Sequence, residues 1–547
     1  MRQSSGSRPV QWTTLTRKLI ALLPLLIAIL LPLLYHVNAR ALSEGVLLSL
    51  DDGYIHATLA TNLANTGHLG INPGESSGGS SSLLWTILLA FLAKLGSPAD
   101  FSALLLGILS NGLLVLSIHR LARIHLDERP AFIAALLTSL FGQHAALALT
   151  GMESLAAASF TLLGFTIPSE QWKRRCLVFA VATLTRIETL PAFYMLNFFE
   201  WQQARHEAVA RASVKQYLLP LLVMTLVGIG GLALLSLLSG GLPSTLFGRR
   251  WLYGYPLSLL SLPSPFIPTF LHFLRSILIR TAEYIGPGGF AGIVWAFTLF
   301  WTSFNGATVI ARRSALGRGL IGYLSLHTLY VFLVIGSEGH LGRYLAPEWS
   351  LLPMLTLLGC ESTCRSVRSP ALARIVRIGM ILLLAAGLPQ IVRWGSWHVG
   401  SLNHLARVHA QMAEMVKEKV PETETIAAFD IGLLAWSTDH RLLDLGGLSG
   451  MELVQDLYGG RITSRLKSEG VHYLLLPESS LMDGETLGNR LGIDLTGSRL
   501  LGSCLLPADQ RDHIPPTRIA FPAMTLRFIP ESAPIEHNRS SVAADHN

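Results

Sequence analysis

The chain has 547 residues, half of them hydrophobic and only 14% charged, with a formal net charge of +7. That balance and length exclude a single soluble core, and the basic residues are parcelled out between apolar runs, which excludes nucleic acid as a partner. Four cysteines are too few for a disulfide framework.

Apolar runs recur along the first 392 residues, each near the roughly 20 residues a helix needs to cross a bilayer. Lipid leaves only helices or closed barrels able to satisfy their own backbone, so the chain reads as a polytopic α-helical membrane protein. Residues 1–18 form a cytoplasmic N-terminus, and residues 19–392 form the transmembrane domain. The first run, Leu19 to Leu34, follows Arg17-Lys18 and lacks a small-residue cleavage site, so it reads as a retained span.

The first outer loop, 37–100, holds the pair Asp51-Asp52. Between Ala41 and Ala93 it carries four carboxylates and no Lys or Arg. Such a loop suits proton abstraction at the membrane surface; a solvated acidic loop is the other reading. It continues through Tyr54 and His56 to Asn72-Pro73-Gly74-Glu75 and a Gly/Ser run before Leu83-Leu84-Trp85.

Short loops rich in Lys and Arg stay in the cytoplasm. Six segments qualify: the N-terminus, Arg120 to Arg129, Lys173 to Arg175, Arg205 to Lys215, Arg312 to Arg318 and Arg365 to Arg377. Placing all six on one side requires that Leu83 to Leu95 lies along the outer interface. The spans then fall near 19–36, 101–119, 131–149, 154–167, 176–186, 189–200, 217–238, 285–303, 319–336, 344–360 and 375–392, which makes about eleven. Residues 266–284, with Arg275 and Arg280, read as a second interfacial helix. Cys176, Cys360 and Cys364 fall near cytoplasmic span ends, and Cys504 stands alone outside.

From residue 393 the composition becomes that of a soluble extracytoplasmic domain, 393–531. β-type runs at Thr425 to Phe429, Arg441 to Asp444, Val471 to Leu476 and Thr525 to Ile529 predict a small α/β or α+β fold. The polar tail, 532–547, reads as disordered.

With this topology the outer face collects Asp51, Asp52, Glu153, Arg186, Glu188, Arg249, Arg250, His340, Arg343 and Tyr344. Ionisable residues at span ends are costly near lipid, so they face a cavity or pair with each other. For Glu153 and Glu188 a helix cap or an ion pair is the competing reading. For Arg249 and Arg250 it is snorkelling to headgroups. The chemistry that fits is transfer of a group from a phosphorylated lipid to a hydroxyl. An Asp supplies the base, and Arg supplies fixed, multi-donor positive charge for the leaving phosphate. An enzyme on that face has no cytosolic nucleotide sugars, so its donor is carried on lipid. A lipid or polysaccharide transporter is the alternative, although transporters place such groups at mid-membrane on broken helices. No ligand spacing marks a metal site, and a divalent metal at the acidic loop is left open.

The stretch Asp51-Asp52-Gly53-Tyr54-Ile55, Gly67-His68-Leu69-Gly70, Asn72-Pro73-Gly74-Glu75 and Leu83-Leu84-Trp85-Thr86 resembles the GT-C glycosyltransferases. Within them it is most similar to the mycobacterial terminal arabinofuranosyltransferase group and its bacterial relatives. Thr150-Gly151-Met152-Glu153, Thr185-Arg186-Ile187-Glu188, Leu242-Pro243-Ser244-Thr245, Arg343-Tyr344-Leu345-Ala346-Pro347, Asp430-Ile431-Gly432 and Asp444-Leu445-Gly446-Gly447-Leu448 resemble further motifs of that group.

The resemblance implies an inverting transferase in a bacterial cytoplasmic membrane, using a polyprenyl-phosphate sugar such as an arabinofuranose. The acceptor is a hydroxyl of a cell-envelope glycan, lipid or protein. By the resemblance Asp51 is the general base, with Asp52 as its orienting partner or an alternate base, and Glu153 positions the acceptor. Arg343, with Arg249, Arg250 and Tyr344, holds the donor phosphate; Tyr54, His56, Arg186, Glu188 and His340 position substrate. The chain departs from the group at Ser76 to Ser82, where relatives carry Gly-Tyr-Thr-Asn, at Ile187 in place of Pro, and at Ser244 in place of Asn. These departures bear on the sugar and on the acceptor contacts.

Overall fold

The computed structural model describes the chain outside residues 1–13, 41–42, 44, 207–213, 243, 253, 259–262, 264, 338, 479–483, 494, 496, 508–509, 511–522 and 531–547. Most of the N-terminal segment and the polar tail therefore lie outside the described residues.

Among the described residues six helical stretches are long and apolar enough to cross a membrane, by length and composition: Leu22–Ala39, Ala99–His125, Tyr217–Leu238, Gly289–Arg313, Ala315–Ile335 and the long run Pro370–Lys419. Their outward faces carry Leu30, Leu237, Phe290, Trp301 and Ile381, all largely exposed. Water would not tolerate so broad an apolar belt, and lipid requires one.

The other expected spans are present as helices, but they are shorter or more polar than these six. Ser154–Phe165 has 12 residues, Trp172–Thr185 has 14 and Leu190–His206 has 17. Ala346–Ser366 has 21 residues but includes Glu348 and Glu361. A count of eleven crossings is thus not established. The expected single span at 131–149 is two helices, Glu128–Ser139 and Gly142–Leu147, broken at Leu140-Phe141. The amide of Gly142 there finds the side-chain oxygen of Gln390 at 2.8 Å. A backbone group freed by a break needs such a partner away from water.

Leu83–Lys94 is a 12-residue helix. At about 1.5 Å per residue it is too short to cross a hydrocarbon core. Phe266–Tyr284 exposes Ile267, Leu271 and Leu274 while burying Phe273 and Tyr284.

The helices Gly289–Arg313 and Ala346–Ser366 meet in backbone contact. A Cβ on Gly306 would stand 1.9 Å from the carbonyl oxygen of Leu355, and one on Gly359 would stand 2.0 Å from that of Thr302. Between them Ser303 and Thr356 share a hydroxyl hydrogen bond of 2.8 Å. Small residues with a polar pair allow such backbone contact where the hydrophobic effect supplies no drive.

The C-terminal part carries a five-stranded mixed sheet, order β2-β1-β3-β5-β4, made of β1 (Ile426–Ala428), β2 (Leu442–Asp444), β3 (Tyr473–Glu478), β4 (Arg499–Leu505) and β5 (Ala523–Phe528). β1 pairs in parallel with β2 and β3, and β5 runs antiparallel to β3 and β4. β1 and β2 are buried along their whole length, as strands covered on both faces are. β4 was not expected from sequence. It is an edge strand with a register shift between Leu500 and Gly502, and its pattern does not alternate cleanly.

This part packs directly on the first outer loop. Ile55, Leu59, Leu69 and Ile71 of the first loop share one apolar core with Val408, Met412, Ile431 and Leu434. Asn72 pairs along the free edge of β2, its amide nitrogen donating to the Leu442 carbonyl at 3.1 Å and its oxygen accepting from the Leu442 N–H at 2.8 Å.

Substituting Gly359→Val should destabilise the helix pair by about 3 kcal/mol, because backbone cannot retreat from the new side chain. Thermal unfolding in detergent checks this, with Gly379→Val, whose Cβ would meet nothing within 4 Å, as the neutral comparison.

Candidate active site

The acid pair opens the helix Asp51–Thr66, where two carboxylates in the first turn complement the positive end of the helix dipole. Successive residues of a helix point about 100° apart, and the two acids accordingly have different partners. Asp51 accepts backbone N–H groups from Gly432 and Leu433, each at 2.8 Å, and lies 3.4 Å from Nδ1 of His409. Asp52 lies 2.5 Å from Nη2 of Arg343.

Asp52 and His56, one turn apart, line a cavity of about 490 Å³. Its polar wall continues through Ser81, Arg186, Glu188, Arg343 and Tyr344, and its apolar wall includes Leu184, Leu232, Leu235, Phe247 and Ile335. Leu448 of the C-terminal part also lines it.

Behind the polar wall Glu153 has no exposed surface. Its Oε1 lies 3.3 Å from Nη1 of Arg186 and accepts from the Ser81 hydroxyl at 3.3 Å, and its Oε2 lies 3.4 Å from Nε2 of His56. Arg186 also donates to Glu188 at 2.5 Å and to the Ser154 hydroxyl at 3.1 Å. A guanidinium met by two carboxylates in a dry site is locked in place. Burial pushes the His56 imidazole below its usual value against the pull of Glu153 and Asp52.

Arg343 follows two residues with left-handed backbone, Leu341 at φ 56° and Gly342 at φ 72°. A leucine there costs on the order of 1 kcal/mol or more. Gln143 holds the bend by donating to the Leu341 carbonyl at 2.7 Å, and a Cβ at Gly342 would collide with the ring of Trp349 at 1.7 Å. The bend aims Arg343 at the cavity, where it is 3% exposed. One of its nitrogens meets Asp52 and the Tyr344 hydroxyl, while Nε and Nη1 are buried with no hydrogen-bond partner. The Tyr344 ring lies beneath both guanidiniums, 4.8 Å from Arg186 and 5.3 Å from Arg343, a favourable arrangement for each cation.

Other expected residues stand elsewhere. Tyr54 is 1% exposed, and its hydroxyl accepts the N–H groups of Leu47 and Leu48 at 2.8 and 3.1 Å; it fixes the helix start and does not line the cavity. Arg250 is fully buried, its guanidinium donating to the carbonyls of Pro256, Ser258, Leu333 and Val334. It ties the helix Thr245–Leu252 to the turn Val331–Ile335. The side chains of Arg249 and His340 lie outside the described residues. No cluster of three or more His, Cys, Asp or Glu that could hold a metal occurs among the described residues.

Sequence reasoning missed Ser81 and His409. Ser81 lies in the Gly/Ser run, and His409 sits in a helix with no distinguishing signal. Beside it, burial pushes the Asp430 carboxyl up to about 7, with His409 opposing and the charges of Asp51, Asp52 and Asp444 adding to the rise.

A family model described only as a domain of unknown function (DUF8728) matches residues 400–512. No curated protein matches the chain. Among solved structures, the oligosaccharyltransferase AglB from the archaeon Archaeoglobus fulgidus, in complex with an inhibitory peptide and a dolichol-phosphate, is similar with a TM-score of 0.54 at 12% identity, over 91% of this chain and 81% of AglB. ArnT from Cupriavidus metallidurans bound to undecaprenyl phosphate is similar with a TM-score of 0.53 at 12% identity, over 96% of this chain and all of ArnT. The likeness is one of fold.

Removing the Glu153 side chain takes one of two carboxylate partners from Arg186, whose charge Glu188 still meets, and opens a gap in a dry site. Glu153→Ala is therefore expected to cost on the order of 3 kcal/mol of stability. Glu75→Ala, which breaks a half-exposed ion pair with Arg441, should cost less than about 1 kcal/mol. Denaturation of the two variants in detergent, side by side, measures the contrast.

Proposed function

We propose that this chain is a membrane glycosyltransferase that moves a sugar from a polyprenyl-phosphate donor to a hydroxyl acceptor, with inversion, on the outer face of a bacterial cytoplasmic membrane. The observation that carries the reading is the Arg343 guanidinium, buried in the cavity wall with two nitrogens, Nε and Nη1, unpartnered beside the carboxylate of Asp52. A buried donor without an acceptor is a standing cost that an arriving phosphate removes. The apolar wall of Leu184, Leu232, Leu235 and Phe247 suits the isoprenoid end of the same donor. The fold shared with AglB and ArnT, proteins solved with dolichol-phosphate and undecaprenyl phosphate, is in keeping with this donor class.

Asp52 is the base in this reading. Asp51, the residue expected from sequence, has both oxygens committed to the Gly432 and Leu433 amides and is absent from the cavity lining. The acceptor oxygen attacks the anomeric carbon as its proton passes to Asp52. The bond from that carbon to the phosphate oxygen breaks, and its electron pair leaves with the phosphate. The charge that gathers on the leaving phosphate is met by Arg343, which Asp52 releases as it takes the proton and loses its own charge. A single displacement of this kind needs one base and no covalent intermediate. Arg186, neutralised by Glu153 and Glu188, is a fixed wall that carries Tyr344 on its face. The residues of the polar wall are set before substrate arrives, which is what electrostatic catalysis requires.

Radiolabelled sugar transfer from a panel of polyprenyl-phosphate donors, pentofuranoses and hexoses among them, to cell-envelope acceptors in membranes tests the reading and names the sugar. Asp52→Asn should lose at least about 100-fold in rate, and Arg343→Lys, which keeps the charge but not the planar donor set, should lose at least about 10-fold. Wild-type rates in a normally inserted Asp52→Asn would remove Asp52 from the chemistry.

A further inference from the structure

The segment 400–512, which the family model matches, touches the candidate site through two seams and a shared apolar core. At the first, the turn after β1 presents the Gly432 and Leu433 amides to Asp51, with His409 at the side. Contact there is so close that a Cβ on Gly432 would stand 2.1 Å from the Asp51 carbonyl oxygen. At the second, the Asp444 carboxylate gathers the N–H groups of Gly446, Leu448 and Ser449 into a tight loop. That loop places Leu448 in the cavity wall. Its carbonyls accept from the Ser244 hydroxyl at 2.6 Å and from the Gly78 N–H at 2.9 Å. The apolar core beneath is shared with the helix that carries the acids.

We propose that this segment is a built-in wall of the transferase site rather than a separate binding module, and that Gly432, Leu433 and His409 act through Asp51 to hold Asp52 in the cavity. Asp51 and Asp52 are adjacent on one helical turn, so a clamp on the first fixes the rotation and depth of the second. A displacement of even one ångström at a reacting group is costly in rate. His409 and the two amides are therefore positioning groups, not catalytic ones. A separate module would bind the acceptor by itself and leave the acid helix unconstrained. The shared core and the Asp51 clamp leave it constrained. The proposal rests on the transferase reading for its kinetic arm only.

The test uses the full chain in lipid nanodiscs, comparing wild type with Gly432→Ala and His409→Ala. Amide hydrogen exchange over residues 51–60 and 432–437 reads the clamp directly, and kinetics with the active donor read its consequence. We expect exchange in both segments to rise at least five-fold in Gly432→Ala and at least two-fold in His409→Ala. kcat should fall 10- to 100-fold while the acceptor KM stays within two-fold. Asp51→Asn, which keeps the side-chain shape and weakens the acceptor, should show the same pattern more mildly and guards against a misfolded Gly432 variant. Unchanged exchange and kcat would overturn the proposal, as would a raised acceptor KM at constant kcat. A wild-type chain that transfers nothing from any donor would count against the reaction itself, and the exchange comparison would still decide the clamp.

Discussion

A carboxylate removed from water must have its charge met, and Glu153, with no exposed surface, imposes that condition on everything around it. Arg186 meets it, Glu188 pairs with the Nε of the same guanidinium, and that guanidinium rests on the ring of Tyr344. The same ring lies beneath Arg343, which reaches Asp52. The chain of contacts runs from a helix start near residue 153 through a second at 186–189 to the bend at 341–343. These segments are far apart in sequence, and charge pairing in a dry environment holds them in one wall.

That wall is asymmetric in a way that bears on function. Arg186 is saturated, so it serves as scaffold. Arg343 is not, since two of its nitrogens are buried without partners. The backbone that presents it is strained at Leu341, and strain of that kind persists only where surrounding contacts over-determine it. Gln143 and Trp349 supply those contacts. One arginine therefore keeps two unpartnered nitrogens while its neighbour is paired with two carboxylates, although the two look alike in the sequence.

Much of the candidate site's polar lining was legible because ionisable residues beside apolar runs have few tolerable positions. Asp52, His56, Arg186, Glu188, Arg343 and Tyr344 all meet at one cavity. Arg250 illustrates the failure of the same logic, since backbone carbonyls absorb a guanidinium as well as a phosphate does, and no local pattern distinguishes the two. The break at Leu140-Phe141 was hidden because its cost is met by Gln390, about 250 residues away. β4 was hidden because an edge strand with a register shift has no clean period.

The sequence by itself determined that the chain lives in lipid and that its charged groups collect at the ends of apolar helices, since transfer free energies act on each segment locally. It also placed an acid pair in the first outer loop. Only the tertiary structure decided which acid faces the cavity. Asp51 and Asp52 are chemically identical and differ by one step around a helix. Asp51 is taken up by amides 381 and 382 residues further along, and Asp52 by an arginine 291 residues away. Those partners exist only after the chain has folded back on itself, so no local property of the pair could have told the two apart.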